Sequence, residues 1–241
     1  PSVVAPQLLE IDYTLFFDFD AQHEGLLRLE SEAGTVTGVF AAERRSQRFE
    51  LREPSAAEQF LSFGRQGVRH IWIGIDHILF LLSLLLPAVM VFRSGRWQSV
   101  PRFRPAFWDV FRVVTSFTVA HSITLSLAAL EVLSLPSRLV ESTIALSVLL
   151  AALNNVRPVV EERRWLMAFI FGLVHGFGFA SVLAELGLPR NALLLALVGF
   201  NLGVEAGQLC IVSAFLPVAF LLRATPLYRR GIMTGGSALI A

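Results

Sequence analysis

The sequence predicts an α-helical polytopic membrane bundle, with five full membrane helices and the start of a sixth, behind a small β-rich N-terminal domain. Three observations carry that prediction. Hydrophobic residues make up 54% of the 241 and charged residues only 16%, against roughly 25% charged in ordinary globular domains. The mean hydropathy is +0.63. The apolar residues are also gathered into runs long enough to cross a bilayer. A chain this poor in charge is neither a disordered segment, a nucleic-acid-binding module nor a typical cytosolic enzyme. Lipid is the solvent it is written for.

The formal charge of +1 hides a division. Residues 1–63 carry eleven acids against five arginines, a balance of −6, and residues 64–241 carry eight acids against fifteen arginines, a balance of +7. We therefore expect two differently solvated parts, a domain over 1–63 and a transmembrane domain over 64–241. In the first part Tyr13, Leu15, Phe17 and Phe19 alternate with Asp12, Thr14, Asp18 and Asp20. That is the period of a half-buried strand. Leu26 to Leu29, Thr35 to Phe40 and Gln47 to Leu51 are further short strands, with Gly25, Gly34 and Gly38 as turn punctuation. His23 is expected on an exposed loop.

In the second part, stretches 67–92, 107–133, 137–157, 165–186 and 191–222 each meet the length of a membrane span, and a sixth begins near residue 230. Such a span needs ~20 mostly apolar residues. Prolines such as Pro101, Pro136, Pro158 and Pro189 punctuate the connections, as helix boundaries require. One set of connections carries Arg93, Arg96, Arg102, Arg104, Arg157, Arg163, Arg164, Arg223, Arg229 and Arg230, and the other only Arg138 and Arg190. The positive-inside rule places the arginine-rich set in the cytoplasm and the N-terminal domain outside. The start at Pro1 without a leader reads as a processed chain or a fragment, and Gly231 to Ala241 as a membrane segment cut short. Cys210 stands alone, so no intrachain disulfide forms.

Ionisable side chains inside membrane helices are costly and mark a bundle interior or a water-filled path. His70, Asp76, His77, His121, Glu141, His175 and Glu205 all fall within the predicted spans. At ~1.5 Å per residue, Asp76 and His77 lie roughly 12–14 Å below the outer surface, His121 and His175 about 18 Å and Glu205 about 21 Å. His70 and Glu141 lie at about 3 and 6 Å, near the outer mouth. The pattern predicts a deep metal centre of Asp76, His77, His121, His175 and Glu205, with His70 and Glu141 as a collecting or second site. His70 and His77 share a helix face but sit ~10 Å apart along a regular axis, too far to ligate one ion unless Gly74 loosens the turn. Imidazole with carboxylate suits nickel, cobalt, zinc or iron rather than calcium. A single membrane histidine is often only a helix-to-helix hydrogen bond, and Asn201 with Glu205 would make such a structural clamp. Small-residue runs such as Gly172, Gly176, Gly178 and Gly199, Gly203, Gly207 permit close helix contact.

Two function classes follow. In the first the centre passes a transition metal across the bilayer, driven by a gradient, since no nucleotide-binding motif is present. In the second an intramembrane zinc-type hydrolase acts on a lipid or other membrane substrate. There Ser122 or Glu205 would orient a metal-bound water.

The motifs themselves resemble a known family. His70-Ile-Trp-Ile-Gly-Ile-Asp76-His77 matches the histidine, five residues, Asp-His signature of the HupE/UreJ membrane proteins. Phe117 to Ser122, Glu141 to Asn155, Phe171 to Ala180 and Phe200 to Gln208 are similar to its second subgroup, which carries an extra N-terminal extracytoplasmic region. The resemblance covers about residues 64–241. It implies a hydrogenase or urease accessory protein that moves nickel or cobalt. Ile71 stands where typical members have proline, and their histidine-rich stretches are absent. The expected partners are the lipid bilayer and a metal ion, and no nucleic acid.

Overall fold

The computed structural model describes residues 8–20, 22–31, 34–50, 55–160, 163–179 and 190–241. Four strands form the N-terminal domain: β1 (Leu8–Asp12), β2 (Gly25–Ser31), β3 (Gly34–Phe40) and β4 (Ser46–Glu50). β1 pairs antiparallel with β4, Leu8 opposite Glu50, and β2 with β3, Gly25 opposite Phe40. Phe17, Phe40 and Phe49 form the buried centre, flanked by Leu9, Tyr13, Leu27 and Val36.

The alternation over 12–20 does not become a strand. β1 ends at Asp12, and Phe16 turns into the left-handed region at φ 67°. Phe19 and Asp20 then donate their amides back to the Phe16 carbonyl at 3.0 and 2.9 Å. The turn sends Phe17 inward and leaves Leu15, Phe16 and Phe19 exposed. His23 is half-buried rather than exposed. Its Nε2 shares a 2.9 Å hydrogen bond with the Tyr13 hydroxyl, and its ring stacks on Tyr13. The strands expected over 26–29 and 35–40 are present, and Leu51, the end of the fourth, lies outside the described residues.

Helix α1 (Ala56–Ile73) starts eleven residues before the apolar run at 67. Ser55 and Glu58 form a capping box: the Glu58 amide donates to Ser55 Oγ at 3.3 Å and the Ser55 amide to Glu58 Oε2 at 2.8 Å. Two orphan amides are thereby satisfied at a helix start. The expected single span over 67–92 is instead a bent pair. α1 gives way to α2 (Ile75–Leu85) at an angle of 72°. Gly74 closes the one by donating to the His70 carbonyl and opens the other by accepting from Ile78, both at 3.0 Å.

After α2 a hairpin, β5 (Met90–Arg93) and β6 (Arg96–Ser99), takes up the last residues of the span expected over 67–92 and the start of the arginine-bearing connection. Its two-residue turn is Ser94-Gly95, both at positive φ (51° and 73°), the conformation favoured in tight hairpins. Then follow α3 (Phe103–Ala129), α4 (Ser137–Val156), α5 (Arg164–His175) and α6 (Arg190–Leu222). A wide π-type turn (Leu227–Gly235) and α7 (Gly236–Ile240) complete the described chain, where the sixth span was expected to begin.

Among the described residues three helices, α3, α4 and α6, are long and apolar enough to cross a membrane, and the bent α1–α2 pair makes a fourth if counted as one span. α5, expected over 165–186, stops after twelve residues, at His175, and the rest of that stretch past Phe179 lies outside the described residues. Side chains such as Val119, Ile123, Leu146, Leu150, Leu202 and Leu221 face outward, the surface expected of helices solvated by lipid rather than water.

Two tight seams position the interior. α1 lies along α6, and α5 along α3. A Cβ on Gly67 would overlap the Phe200 carbonyl oxygen, and one on Gly203 the Gly64 carbonyl oxygen. These backbones touch because Gly67, and both Gly64 and Gly203, carry no side chain to hold them apart. The lower end of α2 is held from three directions. Asn155 of α4 donates to the Ser83 carbonyl at 2.7 Å, Arg164 of α5 to that of Leu84, and Tyr228 to that of Leu86 at 2.8 Å.

Candidate metal centre

The break at Gly74 decides which histidines meet. It turns the chain sharply within the seven residues separating His70 and His77, so the last turn of α1 and the first of α2 bring their rings to 4.5 Å between centroids. The distance argument made for a regular helix therefore fails here. His70, expected as an outer collecting residue, is part of the centre. What glycine spares at position 74 is not a positive φ, since φ is −71°. A Cβ there would stand 2.9 Å from both the His70 carbonyl oxygen and His77 Nδ1.

His121 reaches the same place from the middle of α3 and His175 from the last residue of α5. Ring centroids are 6.5 Å apart for His77 and His121, 6.3 Å for His70 and His121, and 5.0 Å for His77 and His175. Two overlapping groups offer one ligand atom per residue, all within 4.8 Å of one another: His70 with His77 and His121, and Asp76 with His77 and His175. His77 belongs to both.

Hydrogen bonds orient three of the four rings. His77 Nδ1 lies 3.1 Å from Asp76 Oδ1, His121 Nδ1 3.2 Å from Asn201 Oδ1, and His175 Nε2 2.8 Å from Ser147 Oγ. Ser147 donates its own proton to the Ile144 carbonyl at 2.6 Å, so its oxygen is left to accept from His175. Of the nitrogens that remain, His70 Nε2, His77 Nε2, His121 Nε2 and His175 Nδ1 are buried and have no hydrogen-bond partner among the described residues. Four orphaned imidazole nitrogens in one apolar interior would be costly. The donor set fits a borderline transition ion, for which the second ring nitrogen is usually held by just such a carboxylate, amide or hydroxyl.

Phe80 and Phe117 pack beneath the rings, with Phe80 4.9 Å and Phe117 5.3 Å from His175. Together with Leu84, Val113 and Val148 they close the floor. Phe179 and Phe200 stack on each other at 4.5 Å and lie against His70. The centre opens upward instead. A cavity of about 450 Å³ runs between the N-terminal domain and α1, with His70, Gly74 and Asp76 along its base. Asp76 is 41% exposed there, whereas His77 beside it is 5% exposed. Arg69 bridges the two parts of the wall by pairing with Glu24 and Glu43. Burial pushes the Glu24 carboxyl above its ordinary value against the pull of Arg69. Glu43 is held below its ordinary value, first by a hydrogen bond from its own backbone and then by Arg69.

The remaining candidates lie elsewhere. Glu205 accepts a 2.7 Å hydrogen bond from the Thr115 hydroxyl and stands in neither ligand group. It lines a lateral pocket with Ser122 and Asn201. Ser122 donates to the Thr118 carbonyl at 2.7 Å. Both groups considered as helpers of a metal-bound water thus line that pocket, which also reaches the Asn201 that holds His121, and neither stands in a ligand group. Glu141 is exposed and lines a second cavity with Glu131, Ser134 and Phe177, whereas His70 lies at the base of the first. Sequence reading missed Ser147 altogether and assigned Asn201 to Glu205. The small hydroxyl inside the run Glu141 to Asn155 was the available signal.

A family model described as HupE / UreJ protein matches residues 45–241. The chain belongs to the HupE/UreJ family. No curated protein and no solved structure matches it. The matched region of this HupE/UreJ chain begins just before β4 and contains His70, Asp76, His77, His121 and His175.

Proposed function

We propose that this HupE/UreJ chain is an integral membrane permease for a nickel- or cobalt-type ion, set in a bacterial-type inner membrane with residues 1–63 on the outer side. The observation that carries the reading is the convergence of four buried imidazole nitrogens, without hydrogen-bond partners among the described residues, with the Asp76 carboxylate, beneath a cavity whose base is His70 and Asp76. Nitrogen-rich sites with one carboxylate suit such metals and serve magnesium or calcium poorly. The floor of phenylalanines makes the arrangement that of a centre loaded from the side of the N-terminal domain. The ion would meet Asp76 and His70 first, then His77, which both ligand groups share, and then His121 and His175. Neutral imidazoles are required for ligation, so loading releases whatever protons the rings carry. The hydrolase reading has less support, because Ser122 and Glu205 stand in neither ligand group and are hydrogen-bonded to Thr118 and Thr115 instead.

Reconstitution tests the reading. Vesicles containing the protein and a trapped metal-sensitive dye are expected to respond to external nickel or cobalt, and vesicles containing His77→Ala are not. Equal responses from the two would overturn it. The orientation has its own test: with Cys210→Ser as background, a cysteine at Ser94 or Arg163 should resist an impermeant thiol reagent applied to intact cells. Labelling at either position would reverse the topology.

A further inference from the structure

The cavity above the centre is furnished for something other than a bare hydrated cation. Its wall presents three arginines, Arg44, Arg65 and Arg69, against the two carboxylates Glu24 and Asp76. Arg69 is neutralised by Glu24 and Glu43, and Asp76 is engaged by His77. Among the described residues neither Arg44 nor Arg65 forms a salt bridge, although the charge of Arg44 helps hold the neighbouring Glu43 carboxyl down, and the side chains of Gln22 and Gln66 add further amide groups to the same wall. An aqua-ion brings positive charge and only O–H donors, so these guanidinium groups repel it and offer it nothing to donate to. Size points the same way. An ion with six waters fills about 180 Å³ at ~30 Å³ per water, and the cavity holds about 450 Å³. That volume lies in the range of pockets for small organic ligands, ~300–1,000 Å³.

Resting on the metal reading above, we propose that the cavity receives the metal as a chelate with a small polycarboxylate. Arg44 and Arg65 hold the outward carboxylates in charge-assisted hydrogen bonds. The metal faces the base, where His70 and Asp76 meet it. As the imidazole nitrogens replace the chelator's oxygens, the chelator stays held on the arginines until the next chelate exchanges with it through the outer mouth. No covalent bond is made or broken within the chelator.

Nickel citrate is the probe, with ⁶³Ni and ¹⁴C counted separately on purified protein in detergent. The wild type and His121→Ala are both expected to retain ¹⁴C-citrate when nickel is present. The double variant Arg44→Ala/Arg65→Ala is expected to lose that retention by about tenfold or more, since two charge-assisted contacts go, while binding ⁶³Ni supplied as the free ion as the wild type does. Both arginines are exposed, and an unchanged melting temperature checks that the fold survives. Equal ¹⁴C retention in the double variant, or none in His121→Ala, overturns the chelate proposal. Failure of the wild type to bind ⁶³Ni in any form removes the metal reading itself.

Discussion

Alanine at His121 is expected to empty the centre of metal and leave the fold standing. The ring is fully buried, its Nδ1 is fixed by Asn201, its Nε2 has no hydrogen-bond partner among the described residues, and it shares a ligand group with His70 and His77. Ligation needs each of its nitrogens, and metal binding in such sites amounts to many kcal/mol. The fold loses far less. Polar contacts between membrane helices average only ~0.6 kcal/mol, and Asn201 keeps the bond its amide donates to the Leu197 carbonyl at 2.8 Å. Metal analysis and thermal unfolding of the same preparation separate the roles. Full metal content with a lowered melting temperature would make His121 a packing residue and dismantle the centre. Asn201→Ala serves as the graded control. It leaves every ligand in place but frees one ring, and affinity should fall about ten- to hundredfold.

The second large effect is expected far from any ligand, at Gly203. A methyl group at that position collides with the Gly64 carbonyl oxygen, which is backbone and cannot rotate away. α1 and α6 must separate along the seam that also holds Gly67 against Phe200 and the Trp72 indole N–H against the Gly207 carbonyl at 3.3 Å. Overpacking costs typically ~1–3 kcal/mol, and this contact belongs at the upper end. For a chain of this size that corresponds to a fall in melting temperature of about 10 °C. Metal affinity should fall with it, because the displaced helix carries His70. An unchanged melting temperature in Gly203→Ala would mean that the seam is looser than described.

How much of this was legible in the residues depends on what each feature needed. The long apolar runs around Phe117, Ile144 and Val204 announced their helices through composition alone. Counting residues along straight helices grouped Asp76, His77, His121 and His175, but it set His70 apart from them, because the count took the first span to be unbroken at Gly74. Counting gives depth but not rotation about the helix, and so Glu205, at a similar depth, was grouped with a centre it does not touch. Gly74 was the hardest case. A lone glycine inside an apolar run usually costs a helix little, and only the collision its Cβ would make with His70 and His77 shows why the chain bends there. Phe17 misled in the opposite sense: its alternation was real, but a left-handed residue beside it converted a strand pattern into a turn. Ser55 and Glu58 carried a start signal that was present in the sequence and went unused.

The anchoring of α2 sets where motion can begin. Its lower end is tied through Ser83, Leu84 and Leu86 to side chains from α4, from α5 and from Tyr228 in the π-type turn. Its upper end, bearing Asp76 and His77, meets the preceding helix through one residue. A rod clamped at its foot and jointed at its head swings freely only at the head. Displacement therefore starts beside the ligands and dies out toward the floor. A downward opening must first undo three bonds contributed by three separate parts of the chain, so the foot of α2 is the latch and Gly74 the joint.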